Sequence, residues 1–95
     1  MSYAKGRRFE YYVMDKLKRA GFYVMRSAGS HGVFDLLAVK SGVVLGIQCK
    51  KGKYIPKAEK QKMIETAMTY GIIPMVAYKE NNRVEIKALR LEDLR

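Results

Sequence analysis

Apolar residues near the N-terminus follow a helical period. Between residues 2 and 20, Phe9, Val13 and Leu17 fall on one face of a helix, and lysines and arginines lie between them. Gly21 is expected to end this helix, because glycine readily adopts the left-handed conformation that follows many helices. The pattern therefore predicts a basic amphipathic helix at the start of the chain.

Short apolar runs bounded by turn-forming residues follow this helix and predict strands. The three expected strands cover residues 22–25, 33–40 and 43–50. Ser41 and Gly42 separate the last two, and a two-residue connection of this composition is typical of a tight hairpin. The segment 26–32 is rich in small and turn-forming residues and predicts a loop.

A second helix and two further strands complete the pattern. Pro56 stands where helices often begin, an apolar stripe of helical period follows it, and Gly71 ends the stripe. The remaining expected elements are strands over 72–78 and 84–88 and a helical turn over 91–94. Three consecutive strands can pair as hairpins, while the second helix crosses over to the last two. We therefore predict an α/β fold with a small mixed five-stranded sheet flanked by helices.

The chain is short enough to limit the fold to one domain over residues 1–95. Of its residues, 48 % are hydrophobic and 29 % are charged, as in soluble globular proteins. No apolar run approaches the roughly 18 residues of a membrane span, and the N-terminus is charged, unlike a signal peptide. We therefore expect a soluble cytoplasmic protein. Cys49 is the only cysteine, which excludes an intramolecular disulfide and a Cys-based zinc site, so oxygen ligands would hold any metal.

The charge balance is strongly basic. Nineteen Lys and Arg against nine Asp and Glu give a formal net charge of +10 at pH 7. This excess favours a polyanionic partner and above all nucleic acid. The alternatives are that the charge maintains solubility or attracts an anionic membrane. The first helix has too little aliphatic surface to favour a membrane, so nucleic acid is the predicted partner.

Asp35 is the first candidate for chemistry, because it interrupts an apolar run in the second predicted strand. A charge there is costly unless it is paired or binds a cation. If residues 41–42 form the hairpin loop, Asp35 faces Gln48, with Cβ atoms about 4.5–5.5 Å apart. A carboxylate and an amide oxygen at that separation can share Mg²⁺. A bulge at Gly46 would break this register.

Lys50 is the second candidate, because strand alternation places it on the same face as Gln48. From there it could orient or deprotonate an attacking water, or neutralise charge on a phosphate transition state. Cys49 points the opposite way and is interpreted as a core residue rather than a nucleophile. Together these residues could hold Mg²⁺, or Mn²⁺ in its place, and act on a phosphate group.

The spacing of Asp35 and Gln48-Cys49-Lys50 resembles the D-x(n)-(E/Q)-x-K core of the PD-(D/E)xK nuclease superfamily. From about Lys5 to Tyr78 the chain resembles the archaeal Holliday junction resolvases more closely. The matching positions are Lys5-Gly6, Phe9-Glu10, Gly21-Phe22, 26–30, 35–38 and 72–77. The resemblance implies a restriction-endonuclease-like fold, a homodimer, and Mg²⁺-dependent cleavage of four-way DNA junctions by paired nicks in recombination and repair. Cellular, viral and plasmid origins are all compatible with these residues.

The resemblance also implies roles for particular residues. These are Glu10 as a metal-site carboxylate, Asp35 as the central metal ligand, Lys50 as the catalytic lysine, and Arg26 and Ser30 as loop residues near the scissile phosphate. Gln48 departs from the pattern of these resolvases, which usually have Glu at this position. In having Gln here, the chain resembles other branches of the superfamily, notably the Mrr-like restriction nucleases. A neutral ligand should weaken Mg²⁺ binding without removing a coordinating oxygen.

The candidate DNA contacts are basic, polar or aromatic residues around this site. They are Lys5, Arg7, Arg26, Ser27, Ser30, Lys51, Lys53 and Tyr54. Lys51 and Lys53 would grip backbone phosphates. His31, the only histidine, is interpreted as an exposed loop residue.

Other interpretations stay open. Glu10 alone could be a solvated residue near a helix N-terminus, where the helix dipole favours it. Asp35 could form a structural ion pair with Arg26 or Lys50. Gln48 supports two alternative functions, namely an Mrr-like or restriction-type nuclease acting on duplex DNA and a non-cleaving DNA-binding protein of the same fold.

Overall fold

The computed structural model describes residues 2–27 and 33–94, and the side chains of residues 8–27 and 33–93. The elements in these ranges follow the predicted order. They are α1 (Ser2–Arg19), β1 (Tyr23–Arg26), β2 (Leu36–Lys40), β3 (Val43–Lys50), α2 (Lys57–Tyr70), β4 (Ile73–Glu80), β5 (Arg83–Ala88) and a 3₁₀ helix (Leu91–Leu94). No helix in this part of the chain is long and apolar enough to cross a lipid bilayer.

The five strands form one sheet in the order of the sequence. The pairs β1–β2, β2–β3 and β4–β5 are antiparallel, and β3–β4 is parallel. A parallel pair needs a long connection, and α2 supplies it between β3 and β4. The predicted mixed five-stranded sheet with a helical crossover is confirmed.

The helices cover opposite faces of the sheet. Val76 and Ala77 are adjacent in β4 but belong to different core clusters, because successive strand residues point to opposite faces. The cluster beneath α1 contains Val13, Met14, Leu17, Val24, Leu36, Ala38, Ile47 and Ala77. The cluster beneath α2 contains Phe34, Ile55, Met63, Ala67, Val76 and Tyr78. The sheet therefore separates two hydrophobic layers.

Both tight hairpins have two-residue turns with positive φ angles at both positions. Ser41 and Gly42 have φ values of 48° and 81°, and Asn81 and Asn82 have 52° and 62°. This geometry matches the right-handed twist of the flanking strands. Gly71 ends α2 with φ 70° and donates its N–H to the carbonyl of Ala67.

The start of β2 differs from the prediction, which placed it at residue 33. The strand begins at Leu36, after Phe34 and Asp35. The Phe34 ring packs in the layer beneath α2 and covers Gly46, where an added Cβ would lie 2.6 Å from Cδ2 of the ring. Phe34 is therefore held by the packing of its ring, and Asp35 by individual hydrogen bonds to β3, rather than by a regular strand ladder.

Candidate active site

The candidate site lies where β3 ends and β2 begins. Lys50 is the last residue of β3, and Asp35 immediately precedes β2. Helix α1 carries Glu10, and the first turn of α2 carries Glu59. The central strands thus supply two functional side chains, and each flanking helix adds a carboxylate.

Asp35 is fixed to β3 by two hydrogen bonds. Its Oδ2 accepts a 2.8 Å bond from the backbone N–H of Cys49, and its own N–H donates to the carbonyl of Ile47 at 2.8 Å. Its carbonyl accepts a 2.8 Å bond from the N–H of Ser27, the residue after β1. The carboxylate is therefore held at a strand junction without depending on an ion pair.

The surroundings of Asp35 favour its neutral form. Burial raises the pKa of this carboxyl above its ordinary value, and the charges of Glu10 and Glu59 act in the same direction. The hydrogen bond from Cys49 and the charge of Lys50 oppose that increase. A cation beside Asp35 would stabilise its ionised form.

The predicted hairpin register holds over the length of β2. Lys40 pairs with Val43, and the ladder continues without a bulge at Gly46 to the pair Leu36–Ile47. It stops there, so the expected ladder pair between Asp35 and Gln48 is wrong. The reason is local. The N–H of Asp35 donates to the carbonyl of Ile47, which already pairs with Leu36. The Asp35 carboxylate accepts its hydrogen bond from the backbone N–H of Cys49.

Gln48 remains on the face predicted for it. It alternates with Ile47 and Cys49, which contact the layer beneath α1, so Gln48 and Lys50 point to the α2 side. Gln48 is half-buried. Its amide lies two residues from Lys50 on the same strand face, and it adds no charge to the site.

Glu10 and Arg26 form an ion pair between α1 and β1. The Nε of Arg26 donates a 2.9 Å hydrogen bond to Oε1 of Glu10, and both side chains are mostly buried. The guanidinium also lies 5.6 Å from the ring centroid of Tyr11. Glu10 is therefore a paired residue of the site, not a freely solvated residue of the helix.

Lys50 forms an ion pair with Glu59. Its Nζ lies 2.6 Å from Oε1 of that residue, which is in the first turn of α2. Glu59 was not among the site residues predicted from the sequence. The only available indication was an acidic residue just after the start of a helix, which is common for reasons of helix stability.

Cys49 is a packing residue, as predicted. It contacts the layer beneath α1, and burial together with the charges of Asp35 and Glu10 raises its pKa to about 12. A thiol with that pKa is protonated at neutral pH and is a poor nucleophile. The chemistry of the site therefore rests on oxygen and nitrogen groups.

A groove of about 660 Å³ opens beside Glu10 and Lys50. Its apolar lining includes Phe9 and Val84, and Arg8, Lys51 and Lys79 contribute positive charge. Of these three cations, only Lys51 was predicted from the sequence as a DNA contact. Lys79 comes from the β4–β5 hairpin, whose position beside α1 depends on the strand order of the completed sheet. Positive charge beside a carboxylate site suits a phosphate backbone.

The other predicted DNA contacts are dispersed. Lys53 forms a 3.2 Å ion pair with Glu80, and Tyr54 is 80 % exposed. Ser27 is exposed after β1. Ser30 and His31 lie outside the described residues, as do the side chains of Lys5 and Arg7. The structure therefore leaves these DNA contacts as predictions.

The donor chemistry suits a hard cation. In residues 2–27 and 33–94, no group of three His, Cys, Asp or Glu side chains is arranged to hold a metal together. Asp35 is nevertheless a half-buried carboxylate with two carboxylates near enough to raise its pKa. Mg²⁺ commonly takes one or two protein carboxylates and keeps several waters, so these residues fit such an ion.

Comparisons with a family model, a relative's sequence and a solved structure all point to the same protein family. The model of the archaeal Holliday junction resolvase (Hjc) family matches residues 1–95. The crossover junction endodeoxyribonuclease Hjc of Methanocaldococcus jannaschii is 40 % identical over an alignment of 86 residues, and the match covers 86 % of this chain and 64 % of that protein. This chain therefore matches less than two thirds of that relative's length. The structure of Archaeoglobus fulgidus Hjc, a Holliday junction resolvase, is similar with a TM-score of 0.75 and 28 % identity over 90 % of this chain and 73 % of that one.

Proposed function

Because this chain belongs to the archaeal Holliday junction resolvase (Hjc) family, we propose that it is a metal-dependent DNA endonuclease that resolves four-way junctions by paired symmetric nicks. One observation of the site carries the proposal. Asp35 is half-buried and lies within electrostatic reach of both Glu10 and Lys50. Two carboxylates and an ammonium group suit phosphodiester hydrolysis, because carboxylates can hold an oxygen-bound cation and the ammonium can offset charge on the phosphate.

The residues have distinct roles in this proposal. Asp35, Glu10 and Gln48 would hold Mg²⁺, or Mn²⁺ in its place. The ion when bound would lower the pKa of a coordinated water and offset charge on the phosphate. Lys50 would orient the attacking water or stabilise negative charge on the phosphate oxygens through its ammonium group. Arg26 holds Glu10 in position through its 2.9 Å hydrogen bond.

DNA binding in this proposal depends on charge outside the catalytic residues. The chain carries a net charge of +10, and three cations line the groove beside Glu10 and Lys50. Contacts to phosphates position a protein on DNA without reading sequence. This arrangement suits an enzyme that recognises a branched shape.

We further propose that the active form is a homodimer. A four-way junction is resolved by two symmetric cuts, and the described residues of one chain bring together one site of this kind. A two-fold dimer would present two identical sites to a substrate with the same symmetry.

Gln48 favours a second candidate, an Mrr-like or restriction-type nuclease that cuts duplex DNA. The neutral amide stands where the resembling resolvases usually carry a carboxylate. Such a change alters the charge beside the cation, so it could accompany a change of substrate class.

The deciding experiment compares DNA substrates of the same sequence. Labelled four-way, nicked and linear duplex DNA are incubated with the protein in Mg²⁺, Mn²⁺ or EDTA, with Asp35→Asn as the inactive control. We expect symmetric nicks in the four-way junction only, and only with a metal present. Equal cutting of linear duplex would support the restriction-type alternative. Junction binding without cutting by the unaltered protein would instead indicate a non-cleaving DNA-binding protein.

A further inference from the structure

Glu59 occupies a position that the metal-site residues named above do not explain. Its Oε1 lies 2.6 Å from Nζ of Lys50, and the two side chains are 35 % and 26 % exposed. Lys50 belongs to the central sheet and Glu59 to the helix that covers it. The ion pair therefore connects the proposed catalytic lysine to an element that contributes no other site residue.

The placement of Glu59 is determined by the start of α2. Ile55 is buried just before the helix, and the N–H of Lys60 donates a 3.0 Å bond to the carbonyl of Pro56. Met63, one turn further, is fully buried beneath the helix. Two buried residues thus fix the first turn over the sheet. A carboxylate in a first turn is also favoured by the helix dipole.

The charges of the site show what Glu59 adds. Glu10 is paired with Arg26, so that pair is neutral as a whole. If Glu59 were absent, the charge of Lys50 would cancel that of Asp35, because Gln48 carries none. Glu10, Arg26, Asp35 and Lys50 together would then carry no net charge, so they would have no excess negative charge with which to attract a divalent cation. Glu59 restores one negative charge, and it does so beside Lys50.

We propose that Glu59 is a positioning residue that holds the Lys50 ammonium and supplies the negative charge that Gln48 lacks. This inference rests on the proposed function, since it concerns the cation of that site. The residue acts through Lys50 and through the field at Asp35, so it need not touch the cation. The negative charge expected from the strand would therefore come from the covering helix.

The test is a titration of Mn²⁺ into the protein without DNA, followed by calorimetry. Glu59→Gln removes the charge but keeps an oxygen that can accept a hydrogen bond from Lys50. We expect its Mn²⁺ dissociation constant to rise about five- to tenfold, as loss of one nearby charge from an oxygen-ligand site does. Glu65→Gln is the matched control, since it removes the same charge from an exposed position of the same helix.

A rescue variant separates a charge effect from a structural one. In the double variant Gln48→Glu with Glu59→Gln, the charge returns on the strand instead of the helix, and Mn²⁺ affinity should return to that of the unaltered protein. A merely structural role for Glu59 would not predict this recovery. The inference is overturned if Glu59→Gln and Glu65→Gln bind Mn²⁺ equally, or if the double variant binds as weakly as Glu59→Gln.

Junction cleavage is measured on the same samples and distinguishes the two proposals. If the unaltered protein cuts junctions and all Mn²⁺ titrations coincide, only the role of Glu59 fails. If the protein cuts no DNA but Glu59→Gln lowers Mn²⁺ affinity and Gln48→Glu restores it, the role of Glu59 stands and the nuclease proposal fails.

Discussion

The carboxylate of Asp35 accepts a 2.8 Å hydrogen bond from the backbone N–H of Cys49. This bond joins the residue that precedes β2 to the strand that ends at Lys50. A second bond, from the N–H of Asp35 to the carbonyl of Ile47, joins the same two segments. The relative position of the two proposed catalytic residues is therefore set by two hydrogen bonds to the backbone of β3, which is less mobile than a long side chain.

Asp35→Asn should stabilise the fold at neutral pH. Burial raises the pKa of Asp35 above its ordinary value of 3.8, so the folded state binds this proton more tightly than the unfolded state. The ionised carboxylate consequently lowers stability above its folded pKa, and this penalty disappears below the unfolded pKa. Asparagine keeps an oxygen for the Cys49 N–H and carries no charge.

Thermal unfolding in metal-free buffer from roughly pH 3 to pH 8 tests this sign. We expect the melting temperature of Asp35→Asn to exceed that of the unaltered protein at neutral pH and to converge with it in acid. Added Mg²⁺ should raise the melting temperature of the unaltered protein more than that of the variant. A variant less stable than the unaltered protein at neutral pH would contradict the prediction.

Lys50→Ala should abolish junction cleavage while leaving junction binding largely intact. The ammonium is proposed to act on the transition state, whereas affinity comes from the other cations of the chain. We expect the cleavage rate to fall by about 100-fold or more, the scale found when one electrostatic donor of an active site is removed. Gel-shift and single-turnover nicking assays measure the two properties separately. Lys57→Ala, which removes an exposed lysine at the start of α2, is the control, and equal loss of binding and cutting in Lys50→Ala would indicate a structural role.

The sequence was informative where local chemistry decides the structure. Ser41 and Gly42 can adopt the positive φ angles of a two-residue turn, so the register of β2 on β3 could be derived correctly as far as Leu36–Ile47. Gly21 and Gly71 ended the helices for the same conformational reason. The face of Lys50 followed from simple alternation.

Tertiary contacts decided what the sequence could not predict. Asp35 leaves the strand because the Phe34 ring packs over Gly46 and because the carboxylate bonds to the backbone of β3. Neither contact is indicated by a pattern of neighbouring residues in the sequence. Glu59 lies nine positions after Lys50 in the sequence and reaches it only because α2 folds back over the sheet. No spacing rule marks that pair.

Gly46→Ala should destabilise the protein, because the added methyl group would lie 2.6 Å from the Phe34 ring. An overpacked core of this kind costs about 1–3 kcal/mol. Gly52→Ala is the control, since nothing lies within 4 Å of a Cβ at that position. Urea unfolding should show the loss for residue 46 alone. The double variant with Phe34→Leu should recover part of it, and similar stability of the two alanine variants would contradict the packing argument.

Junction binding should weaken steeply with salt, and the groove cations should account for part of the slope. The relevant slope is that of the logarithm of the binding constant against the logarithm of the salt concentration. Each single alanine substitution of Arg8, Lys51 or Lys79 should make this slope shallower by about 1 if that side chain neutralises one phosphate. Lys18→Ala, near the C-terminal end of α1 and away from the groove, should leave the slope unchanged. Fluorescence anisotropy at several salt concentrations measures these slopes. A binding constant independent of salt would contradict nucleic-acid binding through phosphates.

The parallel pairing of β3 with β4 also has a consequence for the order of folding. The antiparallel pairs join strands that are neighbours in sequence, and two of them close through two-residue turns, which form in about 1–10 μs. The parallel pair must instead bring together strands separated by all of α2, which is a slower step because a longer loop has to close. Lys50 ends β3, and Glu59 lies in the first turn of the connecting helix α2. A growing chain would therefore form the β2–β3 hairpin before α2 and β4 have been synthesised, and it would form the Lys50–Glu59 pair only after the first turn of α2 has left the ribosomal exit tunnel.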